Sequence, residues 1–147
     1  MASISNKAQS MPASAIRKLV PLADAAKKQG VKVYHLNLGQ PDIKSPKCAL
    51  DAVKNYGGEN VSYSHSAGLM ELRKGLVEKY YKKIGIDITV DELIVTVAGS
   101  ESVNLALEIT CNPGDEVIVL EPFYTNYNTF AFMNGLTLKA IPTDIRN

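Results

Sequence analysis

Four small or polar residues, Gly99-Ser100-Glu101-Ser102, interrupt the chain between a β-branched apolar run at 93–98 and a helical pattern at 100–110. Three kinds of chemistry use such a break. A serine on a strand–turn–helix elbow can be a nucleophile, but that elbow takes glycine two positions on either side, and position 102 is serine. The only histidines, His35 and His65, lie upstream in stretches that no pattern brings beside Ser100. A second use is a helix cap, for which serine is a favoured type, worth about 1 kcal/mol over alanine. The third is an anion cradle. A helix that opens straight from a strand aims free N–H groups outward. Its dipole favours an anion by about 0.3–1 kcal/mol, and each hydrogen bond to a charged group adds roughly 1.5–3 kcal/mol. Cap and cradle are compatible, although the Glu101 carboxylate opposes a phosphate unless it points away. Nucleotide fingerprints do not occur: no G-x-G-x-x-G follows a strand, and there is no G-K-[ST].

The elements that must position this break follow from periodicity. Ile16, Leu19, Val20 and Ala23 predict an amphipathic helix over 15–28, ended near Gly30, with a kink or restart at Pro21. The stretch 31–38 predicts a short strand or extended segment, halted by Gly39 and Pro41. A helix is expected over 48–56. A longer one over 69–84 carries the stripe Leu69, Leu72, Leu76, Tyr80 and Ile84 and ends at Gly85. Then the period changes: strand 93–98, helix 100–110, a type II turn at Asn112-Pro113-Gly114-Asp115, strand 116–122, helix 124–133 and a last strand from Leu136. Strands alternating with helices predict an α/β fold with parallel pairing, and ligands gather at the strands' C-terminal ends in such sheets.

Bulk properties exclude several classes of function. The 147 residues carry a net charge of +1, which gives no reason to expect nucleic acid or an anionic membrane as partner. The N-terminal residues hold no apolar core of a secretory signal, and no run approaches the ~20 residues of a membrane span, so a cytoplasmic location is expected. Cys48 and Cys111 match no metal spacing and read as small buried hydrophobes in a reducing compartment. No metal site is expected.

Four stretches occur in order: LNLGQPD, YSHSAGLMELRKGL, VTVAGSESVNLAL and PGDEVIVLEPFYTNY. Together they resemble the N-terminal part of class I/II aminotransferases, the fold-type-I enzymes that use pyridoxal 5′-phosphate, with aspartate aminotransferase-like members the most similar. The resemblance covers most of the chain, with MPASAIRKLVPLADAAKKQG similar to the lead-in helix. It implies a partial large domain from residue 46, preceded by an arm and small-domain segment over 1–45. It also implies that Gly99, Ser100 and Glu101 hold the cofactor phosphate through backbone N–H groups and the Ser100 hydroxyl. Tyr124 would stack on the pyridine ring, with Phe123 as the alternative; read without the resemblance, Tyr124 is a core aromatic. Tyr63 would reach the phosphate of the neighbouring subunit of a homodimer, where otherwise it is a loop aromatic packing under a helix. Gly39 would meet the substrate carboxylate, where otherwise it ends a strand. Gln40 stands where glutamate is commoner.

The resemblance further implies a Schiff-base lysine, an acid on the pyridine nitrogen and a carboxylate-binding arginine. None matches a residue of this chain: Arg17, Arg73 and Arg146 all lie in other contexts, and so do the lysines. The expected function is therefore the front part of an enzyme moving an amino group between an amino acid, such as aspartate, and a 2-oxo acid, with no catalytic residue of its own. The alternatives are a non-catalytic truncated product or split subunit acting through a partner chain, and an unrelated phosphate-binding module. In the family fold, strand 93–98 is separated from the next two by strands supplied later, so open strand edges and an uncovered apolar helix stripe are expected for 1–147 alone: the isolated chain folds poorly, oligomerises through those edges, or belongs to a longer polypeptide.

Overall fold

Two parallel strands, β1 (Glu116–Leu120) and β2 (Thr137–Ile141), pair in register from Glu116–Thr137 to Leu120–Ile141. They belong to a computed structural model that describes residues 3–146. The chain is mixed α/β, with six α-helices among the described residues: α1 (Asn6–Gln9), α2 (Val20–Lys28), α3 (Lys47–Lys54), α4 (Met70–Leu76), α5 (Gly99–Thr110) and α6 (Asn126–Met133). It divides into two compact units, Pro41–Ser102 and the remainder.

In the unit that holds the strands, α6 crosses from β1 to β2. The turn before β1 is closed by Asp115 N–H donating to Asn112 O at 3.0 Å, with Gly114 at φ +97°, as the Pro-Gly pair requires. Ala131 on α6 and Leu136 before β2 are its buried apolar residues. Helix α2 restarts at Val20 after a 3-10 turn at Arg17–Leu19, so Pro21 sits in the first turn, where its missing N–H costs nothing. Gly30 follows α2 with φ +80°. The stretch 31–38 forms no strand: Leu36 N–H turns to Tyr34 O and Leu38 N–H to His35 O, and no neighbouring strand competes for them.

In the unit Pro41–Ser102, α4 continues as a π turn, Val77–Tyr81, and a 3-10 turn, Lys82–Ile84, before Gly85 closes it at φ +77°. The expected helix over 69–84 is thus helical throughout but not uniform. Its stripe stays open, with Leu69, Leu72, Tyr80 and Ile84 all exposed. What is buried instead is Arg73, 4% exposed, whose Nη2 donates to Val90 O and lies 3.6 Å from Asp91 Oδ1. The guanidinium ties α4 to the 3-10 turn Val90–Glu92.

The run 93–98 is a correction to the sequence reading. It pairs with no strand among the described residues; its one ladder-like bond is Val95 N–H to Ala67 O at 3.0 Å. β-branched residues favour a pleated, half-buried surface but cannot supply the neighbour that makes one. Cys48 is exposed rather than buried, and Cys111 is half-buried. Several apolar side chains, Leu36, Val97 and Ile145 among them, are fully exposed.

The turn that feeds residues 93–98 carries an acid-sensitive cap. Glu92 Oε2 accepts from Thr89 N–H at 2.8 Å and from Thr89 Oγ1 at 2.9 Å, the backbone bond first and the hydroxyl second holding this carboxyl below its usual range. A carboxylate depressed on folding contributes stability above its unfolded value near pH 4.3, and loses it as pH falls through the lower folded value. Thr89→Ala removes one of the two donors. The Glu92 side-chain NMR titration is expected to move up toward the ordinary range, and an unchanged midpoint would show the hydroxyl to be idle.

Candidate functional site

Residues 93–98 lead directly into α5, and the junction is held by side chains rather than by a sheet. Thr96 Oγ1 donates to Ala98 O at 3.1 Å and lies 2.6 Å from Ser102 Oγ. Ala98 O receives the N–H groups of Glu101 at 3.0 Å and Ser102 at 3.3 Å. The Glu101 carboxylate reaches back to accept Val97 N–H at 2.6 Å. Helix α5 therefore begins at Gly99, and Ser100 stands one residue inside its first turn. This corrects the reading of Ser100 as the cap: Glu101 and Thr96 brace the junction, and the Ser100 hydroxyl makes no hydrogen bond among the described residues.

What the junction leaves over is suited to an anion. The N–H groups of Gly99 and Ser100 donate to nothing among the described residues, and both residues are exposed. A Cβ built on Gly99 meets no atom within 4 Å, so the space before these amides is open. Glu101, whose charge would oppose a phosphate, is engaged by Val97 N–H. Its own N–H already donates to Ala98 O and can serve a ligand only as a shared donor. Two free N–H groups and a free hydroxyl at a helix start fit a phosphate oxygen set.

Tyr63 lies in the same unit and is fully exposed. Its loop is folded by Ala67 N–H donating to His65 Nδ1 at 3.1 Å and by Gly68, whose φ of +95° and contact with Val95 admit no side chain. Sequence reasoning passed over Gly68, and it set Arg73 aside as a carboxylate binder without finding its structural role. The signal for Gly68 was a glycine immediately before a helix start. A buried arginine gave none, because its partner is a backbone carbonyl 17 residues away.

Tyr124 and Gly39 belong to the other unit. Tyr124 is half-exposed and precedes α6 rather than starting it. Its hydroxyl accepts from Asn126 Nδ2 at 2.7 Å, and its ring meets Tyr127 edge-on at 5.7 Å. Tyr127 in turn stacks on Phe123 at 6.4 Å. A ring fixed at its hydroxyl and one edge, with half its surface open, can take a flat aromatic ligand. It lines a cleft of about 460 Å³ with Met11, Ile16, Arg17, Leu38 and Phe130. Gly39, next to Leu38, is exposed, and a Cβ there meets nothing. Arg146 is committed to Asp144, donating from Nε at 3.1 Å and Nη2 at 2.8 Å, and this hydrogen-bonded pairing holds the Asp144 carboxyl below its ordinary range. Among the described residues no group of three or more metal-ligating side chains gathers, and no helix is long and apolar enough to cross a membrane.

Known proteins share both sequence and structure with this chain. An aspartate/prephenate aminotransferase of Thermus thermophilus is 34% identical over 128 residues, covering 86% of this chain and 33% of that protein. An aspartate aminotransferase of Pyrococcus horikoshii is 40% identical over 96 residues, 65% of this chain and 25% of the other. Among solved structures, an alanine aminotransferase from Pyrococcus furiosus superposes with a TM-score of 0.84 at 34% identity, covering 98% of this chain and 37% of that one. An aspartate aminotransferase from Thermotoga maritima gives 0.85 at 28%, covering 97% and 38%. The chain thus spans about a third of the length of these relatives, and its fold corresponds to part of theirs. The family model described as aminotransferase class I and II matches from residue 31 to residue 147, so the braced junction at Gly99 and the aromatic cluster at Tyr124 are features of a chain that belongs to the class I and II aminotransferases.

Proposed function

We propose that the chain is the N-terminal part of a pyridoxal 5′-phosphate-dependent enzyme that moves an amino group between an amino acid, such as aspartate, and a 2-oxo acid. The observation that carries this reading is the start of α5, where Gly99 and Ser100 keep free N–H groups while Glu101 is bonded to Val97. When bound, the coenzyme supplies an electron sink for the substrate's α-carbon. The residues of this chain bind and orient. Gly99 and Ser100 N–H with the Ser100 hydroxyl hold the phosphate, Glu101 braces the turn that presents them, and Tyr124 covers one face of the ring and keeps water from it. Tyr63 serves the phosphate of a second subunit in a homodimer, and Gly39 N–H meets the substrate carboxylate. The Schiff-base lysine, the acid on the ring nitrogen and the substrate-binding arginine come from the part of the relatives' length that this chain does not span. We place the enzyme in the cytoplasm and divide the chain into an arm and small-domain segment over 1–45 and the first part of the large domain over 46–147.

The test is a titration of 15N-labelled chain with inorganic phosphate and then with pyridoxal 5′-phosphate. Gly99 and Ser100 amide resonances are expected to shift with both ligands, and Tyr124 ring resonances with the second alone. Shifts elsewhere with those amides unmoved would overturn the reading. The chain alone is expected to give no transamination of aspartate with a 2-oxo acid; turnover would show that one of its own lysines forms the Schiff base.

A further inference from the structure

The sequence contains a single Asn-Gly pair, Asn134-Gly135, and the structure places it at the end of α6. In such a pair the glycine nitrogen has no side chain to shield it and can attack the preceding amide carbon. Here both reacting groups are restrained. Gly135 sits at φ +70° and its N–H donates to Phe132 O at 3.1 Å, while Leu136 N–H donates to Ala131 O at 2.8 Å, the double closure of a glycine-capped helix. The Asn134 amide donates from Nδ2 to Phe130 O at 2.9 Å and to Asn104 Oδ1 at 3.0 Å. Asn104 lies on α5, so a contact from a second helix holds the leaving group in place.

We infer that Asn134-Gly135 is a site of spontaneous deamidation whose rate is set by opening of the last turn of α6, with Asn104 as the latch. This inference does not depend on the proposed function. Once the turn opens, Gly135 N forms a bond to Asn134 Cγ and gives its proton to water. The Cγ–Nδ2 bond breaks as Nδ2 takes a proton back from water, and ammonia leaves. Water then opens the five-membered imide to aspartate or isoaspartate, with no oxidation or reduction. The product puts a carboxylate at the C-terminal end of α6, where the helix dipole disfavours it, and loses both Nδ2 donors. Re-closure is therefore weaker after the reaction than before it.

The test follows deamidation of the full chain by peptide mass mapping in mildly alkaline buffer, with and without urea, for the natural sequence and for Asn104→Ala. Amide hydrogen exchange is read in parallel. The native chain is expected to deamidate at Asn134 at least about tenfold more slowly than the chain in urea, because closure holds four hydrogen bonds that each change the open fraction by roughly 2- to 12-fold. Asn104→Ala is expected to raise the native rate by one such step, roughly 2- to 12-fold, and Gly135 N–H exchange by the same factor, while exchange in β1 is unchanged. Equal rates for the two sequences, equal rates with and without urea, or a matching rise of exchange in β1 would each overturn the latch.

Discussion

Gly68→Ala is expected to destabilise the unit Pro41–Ser102 by roughly 2–6 kcal/mol, the sum of about 1–3 for a non-glycine residue at its positive φ and about 1–3 for overpacking. The overpacking is specific: a Cβ at this position lies 2.6 Å from Val95 Cβ and 2.7 Å from Val95 Cγ2. A valine Cβ is fixed to its backbone and cannot swing away, so residues 93–98 must shift. The shift would strain Val95 N–H to Ala67 O and carry through to the amides of Gly99 and Ser100. Gly85→Ala is the matched control. It has φ +77° with nothing within 4 Å, so only the backbone cost applies. Urea unfolding of both variants separates the two contributions, and equal losses would show that the contact with Val95 is unimportant.

Ser100→Asp is expected to reduce affinity for phosphate or pyridoxal 5′-phosphate by about 10²–10³-fold. Losing the hydroxyl donor to a charged oxygen costs roughly 10- to 150-fold, and a carboxylate beside the ligand adds repulsion. Ser100→Ala isolates the first effect. The same aspartate stands in the first turn of α5, where the dipole favours it by about 0.3–1 kcal/mol. Binding should therefore fall while thermal stability holds or rises slightly. Calorimetric titration and a melt on the same sample give both signs. If affinity is untouched by Ser100→Asp, the phosphate does not sit at this helix start.

Much of this was legible in the sequence, for reasons that differ between elements. Gly30, Gly85 and Gly114 mark turns because a positive φ is a local demand that one residue type meets without penalty. The pair β1 and β2 was legible because short apolar runs on either side of a helical stretch were bounded by turn residues. The strand at 93–98 was not, because an edge is satisfied only by a neighbour, and a β-branched pattern reports preference without naming the partner. Ser100 was misjudged as a cap because residue type reveals which groups can cap. Which one does cap depends on where the carboxylate of Glu101 turns. That direction also decides whether Gly99 and Ser100 keep their donors, and it is a matter of rotamer and backbone angle that no spacing rule encodes.

The unpaired run Leu93-Ile94-Val95-Thr96-Val97 contains neither charge nor proline, and Ile94 and Val97 are exposed. Such a window is a template for cross-β stacking whenever it waits uncovered. In the longer enzyme proposed above, covering strands made after this segment would arrive seconds later, at about 5–20 residues per second on the ribosome. Production of this polypeptide should accordingly depend on chaperone capacity during that interval. A lysine substituted for the outward Val97 would act as a gatekeeper there, improving the yield of dispersed protein.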